Sequence, residues 1–103
     1  MSETVVRENP AEQRYEIHVD GALAGFTVYQ PGDGLLAFVH TEIDEAYAGQ
    51  GLGKVLIRDT LDDVRKRGLG VLPFCPFVRG FIAKNADYLD LVPEGERGRF
   101  DLA

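Results

Sequence analysis

The chain has 103 residues, 45% hydrophobic and 27% charged, with a formal net charge of -6. That length holds one small domain and no second core, the mixture excludes wholesale disorder and collagen-like or disulfide-dense classes, and the negative balance argues against general nucleic-acid binding, which needs a basic face. One cysteine excludes an internal disulfide, no apolar run approaches the roughly twenty residues of a membrane span, and MSETVVRENP lacks the basic and apolar regions of a signal peptide, so a cytoplasmic protein without membrane partners is expected.

Charge is unevenly divided. Residues 1–45 carry two basic and nine acidic side chains, whereas 46–103 carry nine and eight. This is compatible with an anionic cofactor held by the second half and a cationic substrate drawn to the first, or with a solvated acidic surface.

Thr4 to Arg7 reads as a short strand, broken at Asn9-Pro10. From Arg14 to Asp20 the residues alternate, Tyr15, Ile17 and Val19 on a buried face and Arg14, Glu16, His18 and Asp20 on a wet one; His18 is expected to be exposed. Asp20-Gly21 favours the positive φ of a hairpin turn, so Ala22 to Gln30 returns as a strand. After a second turn at Pro31–Gly34 comes Leu35 to Ile43. Its first half is apolar at every position, which predicts cover on both faces. Its second half sets His40 and Glu42 on one face and Thr41 and Ile43 on the other, and polar groups at the carboxyl end of a buried strand often flank a ligand crevice.

The stretch His40 to Lys54, HTEIDEAYAGQGLGK, then passes through Gly49, Gln50, Gly51 and Gly53 into a helical pattern. It reads equally as a plain glycine-rich turn or as an anion site, because glycines admit close approach and the first amides of a helix lack internal partners. From Gly53, the positions Leu56, Ile57, Thr60, Leu61 and Val64 follow at offsets of three, four, seven, eight and eleven, which predicts a helix over 51–67 capped by Arg67-Gly68. Lys54 and Arg58, near its start, are candidate secondary contacts to phosphates.

Gly70 to Cys75 reads as a short strand whose Pro73 favours an edge. Pro76 suits the first turn of a helix reaching Asn85, which puts Cys75 at a helix N-terminus. Amide dipoles there favour thiolate, whereas burial among Phe74, Phe77 and Phe81 opposes it, so Cys75 is readable as a core residue or as a nucleophile. Tyr88, Leu89, Leu91 and Val92 form a closing packed segment, and 93–103 is expected to be an irregular or partly disordered tail. Three familiar chemistries fail. A Walker A loop needs glycine at Ala48 and Ser or Thr at Val55; a dinucleotide fingerprint from Gly49 meets Lys54 where its third glycine belongs; histidines and cysteine lack zinc-site spacing, so no metal is expected.

Ala48-Gly49-Gln50-Gly51-Leu52-Gly53 resembles the acetyl-CoA loop of the GCN5-related N-acetyltransferase superfamily, written as Arg or Gln, two residues, Gly, one residue, then Gly or Ala. Gly51 and Gly53 match, and Ala48 stands where the first side chain belongs. HTEIDEAYAGQGLGKVL together with VLPFCPFVRGFIAKNADYLDLV resembles its minimal single-domain branch, the YjdJ-type acetyltransferase-like proteins, over roughly 12–92. Asn85-Ala86-Asp87-Tyr88 matches that branch's His-Pro-Glu-Tyr-like sequence at the tyrosine and loosely at the acid.

The resemblance implies a single minimal domain over 1–103 with a compact α/β (α+β) fold: a mostly antiparallel twisted sheet, two main helices, and the CoA loop between the central strand and the first helix. It implies acetyl-CoA as cofactor and an unidentified amine as substrate. The pyrophosphate would meet the loop Ala48, Gly49, Gln50, Gly51, Leu52, Gly53 and Lys54, and the pantetheine arm the backbone of Glu42 and Ile43. Chemically, Glu42 or His40 is expected to accept the amine's proton, Tyr88 to protonate the leaving thiolate, and Cys75 offers a covalent acetyl-cysteine route. A module that binds acyl-CoA without transfer, or serves protein interaction, is the alternative.

Overall fold

A computed structural model describes residues 3–103. Five strands, β1 (Thr4–Asn9), β2 (Arg14–Val19), β3 (Ala22–Gly32), β4 (Leu35–Ile43) and β5 (Gly70–Pro73), form one sheet in sequence order. β1 to β4 pair antiparallel and β5 joins β4 in parallel, across the helix α1 (Leu52–Lys66). Asp20 and Gly21 both adopt positive φ, 50° and 85°, as a two-residue hairpin turn requires. A second helix, α2 (Pro76–Lys84), follows β5. The mostly antiparallel sheet with two main helices is the fold that the sequence predicts; among the described residues no helix is long and apolar enough to cross a membrane.

One face of the sheet carries the core. Tyr15, Ile17 and Phe38 meet Leu56, Ile57, Leu61 and Val64 of α1, with Val71, Val78 and Ile82, all fully buried. The far end of α1 is also tied to β1 and β2 by polar contacts. Tyr15 donates its phenol proton to Asp63, Arg67 donates to Tyr15 at 2.9 Å and to Glu8 at 3.0 Å, and Tyr29 donates to Glu8. Burial and the Glu8 carboxylate push the Tyr29 phenol up to about 12, so it stays a donor.

Several expectations are corrected. The first half of β4 is covered on one face only: Leu36 and Phe38 are buried, but Val39 is 38% exposed. Val39 follows inward-facing Phe38 in the pleat and so takes the other face, and a register shift falls at the same place. Val28 pairs with His40 and Tyr29 with Phe38, so Val39 is an extra residue on β4, a bulge. His18 and Glu16 are not simply wet. Glu16 is only 8% exposed, because it accepts hydrogen bonds from Asn9, Arg14 and His18. β1 runs on to Asn9, and β5 stops at Pro73 rather than Cys75. The tail is not an irregular strand of chain but two 3-10 turns, Glu94–Glu96 and Gly98–Phe100, that bury Phe100 and Leu102; Phe100 packs edge-on against Phe74 at 5.1 Å.

Burial alone would raise the Glu16 carboxyl, but the hydrogen bonds from Asn9, His18 and Arg14 outweigh it and hold it at about 2 against its ordinary 4.5. A carboxylate depressed on folding contributes stability that is complete above the unfolded value and is lost as pH falls through the folded one. Urea midpoints should therefore drop between pH 4.5 and about 2, and Glu16→Gln should remove that part of the acid limb. Parallel curves for the two proteins would show that the cluster is not coupled to folding.

Candidate functional site

Two local facts open the sheet. β5 ends at Pro73, which has no amide to donate, and its last partner on β4 is Phe38. The Cys75 amide still reaches the Phe38 carbonyl at 2.8 Å. Beyond that bond β4 continues through the Val39 bulge to Ile43 with no paired strand on that side among the described residues, so the sheet splits.

Side chains on the two faces of this free stretch have different surroundings. Thr41 faces inward, its hydroxyl 2.9 Å from Thr27 and 3.3 Å from the Cys75 sulfur, whose thiol donates to it. Thr27 is fully buried and Cys75 is 4% exposed. His40 and Glu42, which alternate with Thr41, face outward and are largely exposed, with Nε2 of His40 3.5 Å from Oε1 of Glu42. The Phe26 ring lies 6.4 Å from His40 and 4.5 Å below the Arg14 guanidinium. The structure therefore joins His40 to Glu42 but sets both on the opposite face from Cys75.

Asp44 accepts from the Ala46 amide and so starts the 3-10 turn Glu45–Tyr47. Ala48 is extended; Gly49 and Gly51 take φ of 83° and 72°, a region open to glycine and costly for other residues. Gly51 is the N-cap of α1, no side chain caps that end, and its first turn holds no acid. Its leading amides thus keep their donor capacity. Gly53 has another function: a Cβ there would lie 2.6 Å from Cζ of Phe77, so its missing side chain lets the start of α2 close on α1.

A cleft of about 260 Å³ lies over this loop, lined by Ile43, Ala48, Gly49, Gly51, Leu52, Gly53 and Lys54 from the predicted set, with Tyr47 and Phe77 added. Gln50 is exposed and does not line it. Nor does the Glu42 side chain, which borders a shallow depression with Phe26 instead. Tyr88 stands apart, its phenol donating to Asp62 of α1 at 2.8 Å and its ring 5.5 Å from Phe81. Burial and the Asp62 carboxylate raise the Tyr88 pKa. Thr27, Tyr47 and Phe77 were not legible as site residues. Thr41 had a signal, since it is a polar residue sharing the pleat face of Ile43 on a largely apolar strand.

Residues 14–91 match a family model described as GCN5-related N-acetyl-transferase. The fold is similar to the solution structure of a GCN5-like protein from Staphylococcus aureus, with 22% identity, a TM-score of 0.67, and cover of 90% of this chain and 91% of that one. A ribosomal-protein-alanine N-acetyltransferase from Brucella melitensis biovar Abortus 2308 is 23% identical with a TM-score of 0.48, the match taking in 78% of this chain and 57% of the other. No curated protein matches the chain.

The two glycines should fail for different reasons. Gly51→Ala should cost about 1–2 kcal/mol through its left-handed backbone, measured by urea unfolding, and Phe77→Ala should not repair it. Gly53→Ala should be partly repaired by Phe77→Ala. Equal behaviour of the two pairs would refute this division.

Proposed function

The chain belongs to the GCN5-related N-acetyltransferase family, and on that footing we propose that it moves an acetyl group from acetyl-CoA to an amine, as a member of the minimal YjdJ-type branch. The observation that carries this reading is the uncapped start of α1, with Gly49 and Gly51 left-handed before it, opening onto a cleft beside the free stretch of β4. Donors without acceptors, no acid in the first turn and adjacent Lys54 fit a pyrophosphate; Ile43, Tyr47 and Phe77 fit its less polar arm. When bound, acetyl-CoA supplies the thioester that acylates the amine.

The residues of the chain have separable roles. Amides of Leu52, Gly53 and Lys54 bind the phosphates, and backbone at Glu42 and Ile43 aligns the arm. Ala48 brings no side chain to the phosphates, so backbone donors and Lys54 carry that contact. On the outward face, Glu42, with His40 beside it, accepts the proton that the amine must lose. Acidic residues dominate the half of the chain that builds this face, which favours a cationic amine. Cys75 is the covalent alternative: its sulfur, hydrogen-bonded to Thr41, would take the acetyl group from the CoA sulfur, which leaves with the cysteine's proton, and would then pass the acetyl group to the amine. Tyr88, already committed to Asp62, holds the segment after α2 against α1 rather than supplying the leaving thiolate's proton.

A second reading, an acyl-CoA-binding module without turnover, is favoured by the 4% exposure of Cys75 and by the hydrogen bond that already holds the Tyr88 phenol to Asp62. Calorimetry with CoA followed by an amine-panel assay for free CoA separates the two. Binding with turnover is expected; binding alone selects the module, and no binding defeats both. With a substrate found, Glu42→Gln should lower kcat by about 10²-fold or more. Mass spectrometry after acetyl-CoA exposure decides the thiol's part, since no adduct together with full activity in Cys75→Ser eliminates the covalent route.

A further inference from the structure

The two outer edges of the sheet differ. β5 is four residues long, stops at Pro73 and is met by the returning chain, the Leu91 carbonyl oxygen lying 3.3 Å from the place a Cβ on Gly70 would take. β1, at the other edge, is six residues long, contains no proline and pairs with β2 alone among the described residues. The hairpin turn fixes which of its groups face outward. Glu3 donates its amide to the Asp20 carboxylate at 2.7 Å and accepts from the Asp20 amide at 2.8 Å, so its backbone groups point toward the β2 side. Alternation along an antiparallel strand then points the amides and carbonyls of Thr4, Val6 and Glu8 away from β2. Such a row is a template for another strand unless charge, proline or a covering element blunts it. Glu8, the one acid of β1, is already engaged by Arg67 and Tyr29 and guards nothing.

A groove of about 530 Å³ runs between this strand and α1. Asp59, Asp62, Asp63 and Lys66 line it from the helix, at the spacing of one stripe, acidic at its start and basic at its end. Lys66 has no carboxylate within 4.0 Å among the described residues, and Asp59 meets only its neighbour Arg58, at 3.1 Å. This stripe is complementary to itself when reversed. A two-fold axis does that, setting Lys66 of each copy against the acidic start of the other's stripe. β1 is self-complementary in the same sense. An axis beside Val6 pairs Val6 with Val6 of the other copy, Val5 with Arg7 and Thr4 with Glu8, so no like charges stand opposite each other.

We propose that β1 is a dimer edge, where a second copy of this chain adds its own β1 in antiparallel about a two-fold axis beside Val6, with Lys66 of each copy against Asp59 of the other. The sheet then continues across ten strands, five from each copy. Main-chain hydrogen bonds supply the pairing, Val5, 38% exposed, loses water, and the α1 stripes fix direction and register. The contact is only one strand and one helix stripe wide, so the dimer belongs with small, concentration-dependent interfaces. Its charged part is exposed and weakens as salt rises.

The test is sedimentation velocity on the full chain at low salt, from about 10 µM to about 1 mM, the range in which weak interfaces assemble. The mass should move from one copy toward two, and amide exchange at Val6 and Glu8 should slow with it. Val6→Pro removes an outward amide and leaves the pairing with β2 untouched, so it should hold the chain as a monomer. Lys66→Asp should weaken the dimer about tenfold or more by setting like charges together, and adding Asp59→Lys should restore it. A monomer throughout overturns the proposal. So does a dimer indifferent to Val6→Pro and to charge reversal, which lies on another face, and so does slow exchange at Val6 and Glu8 in a monomer, which marks a different occupant of the edge. If circular dichroism shows Val6→Pro unfolded, the charge pair decides, and failure of the double variant to restore the dimer overturns the proposal.

Discussion

One surplus residue on β4 sets the arrangement of everything at the site. With Val39 unmatched by β3, the pleat restarts on the other parity. Phe38 before it and Thr41 after it both turn inward, while His40 and Glu42 turn outward. Were Val39 paired in regular register instead of bulged, His40 and Glu42 would continue the inward face of Phe38 and be driven into the core, where unpaired ionisable groups are costly. The same place is where β5 runs out of amides at Pro73. A bulge on one strand and a proline on its neighbour thus leave a stretch of strand edge free inside a sheet.

Away from that gap, polar groups hold the sheet and α1 in one register. Asn9, Arg14 and His18 enclose Glu16 on the open face, and Glu8, Tyr15, Asp63 and Arg67 join β1 and β2 to the end of α1 on the other. Both clusters are partly desolvated, so the loss of one partner strands the rest. α1 is held at its far end by these contacts and by Leu61 and Val64, and at its start by Leu52 and Leu56 in the core, with Gly51 and Gly53 shaping the backbone between them.

Elements with a local physical cause were legible in the sequence. The positive-φ pair Asp20-Gly21 marked its hairpin, the stripe from Leu56 to Val64 marked α1 to within a residue at each end, and Pro76 marked the start of α2. What escaped depends on partners distant in the chain. The bulge at Val39 is a count of residues on β4 against β3, which no single strand reveals. Glu16 was read as wet because its cover comes from Asn9, Arg14 and His18 together. Tyr88 was aligned with a motif, but Asp62 on α1 decides where it points. Of the loop residues, the glycines and Leu52 fell in the cleft as their pattern suggested, whereas the side chain of Gln50 lies outside it and Tyr47 and Phe77 were added by packing.

The contact of Phe77 with Gly53 has a mechanical side. The ring sits over the loop, and its backbone lies in the first turn of α2, two residues beyond Cys75. Cys75 is also the N-cap of that helix, its carbonyl accepting from the Arg79 amide at 3.0 Å. The ring and the thiol therefore ride on one stiff turn. The ring that closes on Gly53 and the thiol that donates to Thr41 thus share one helix start, which puts the loop and the buried sulfur two residues apart along the chain of contacts.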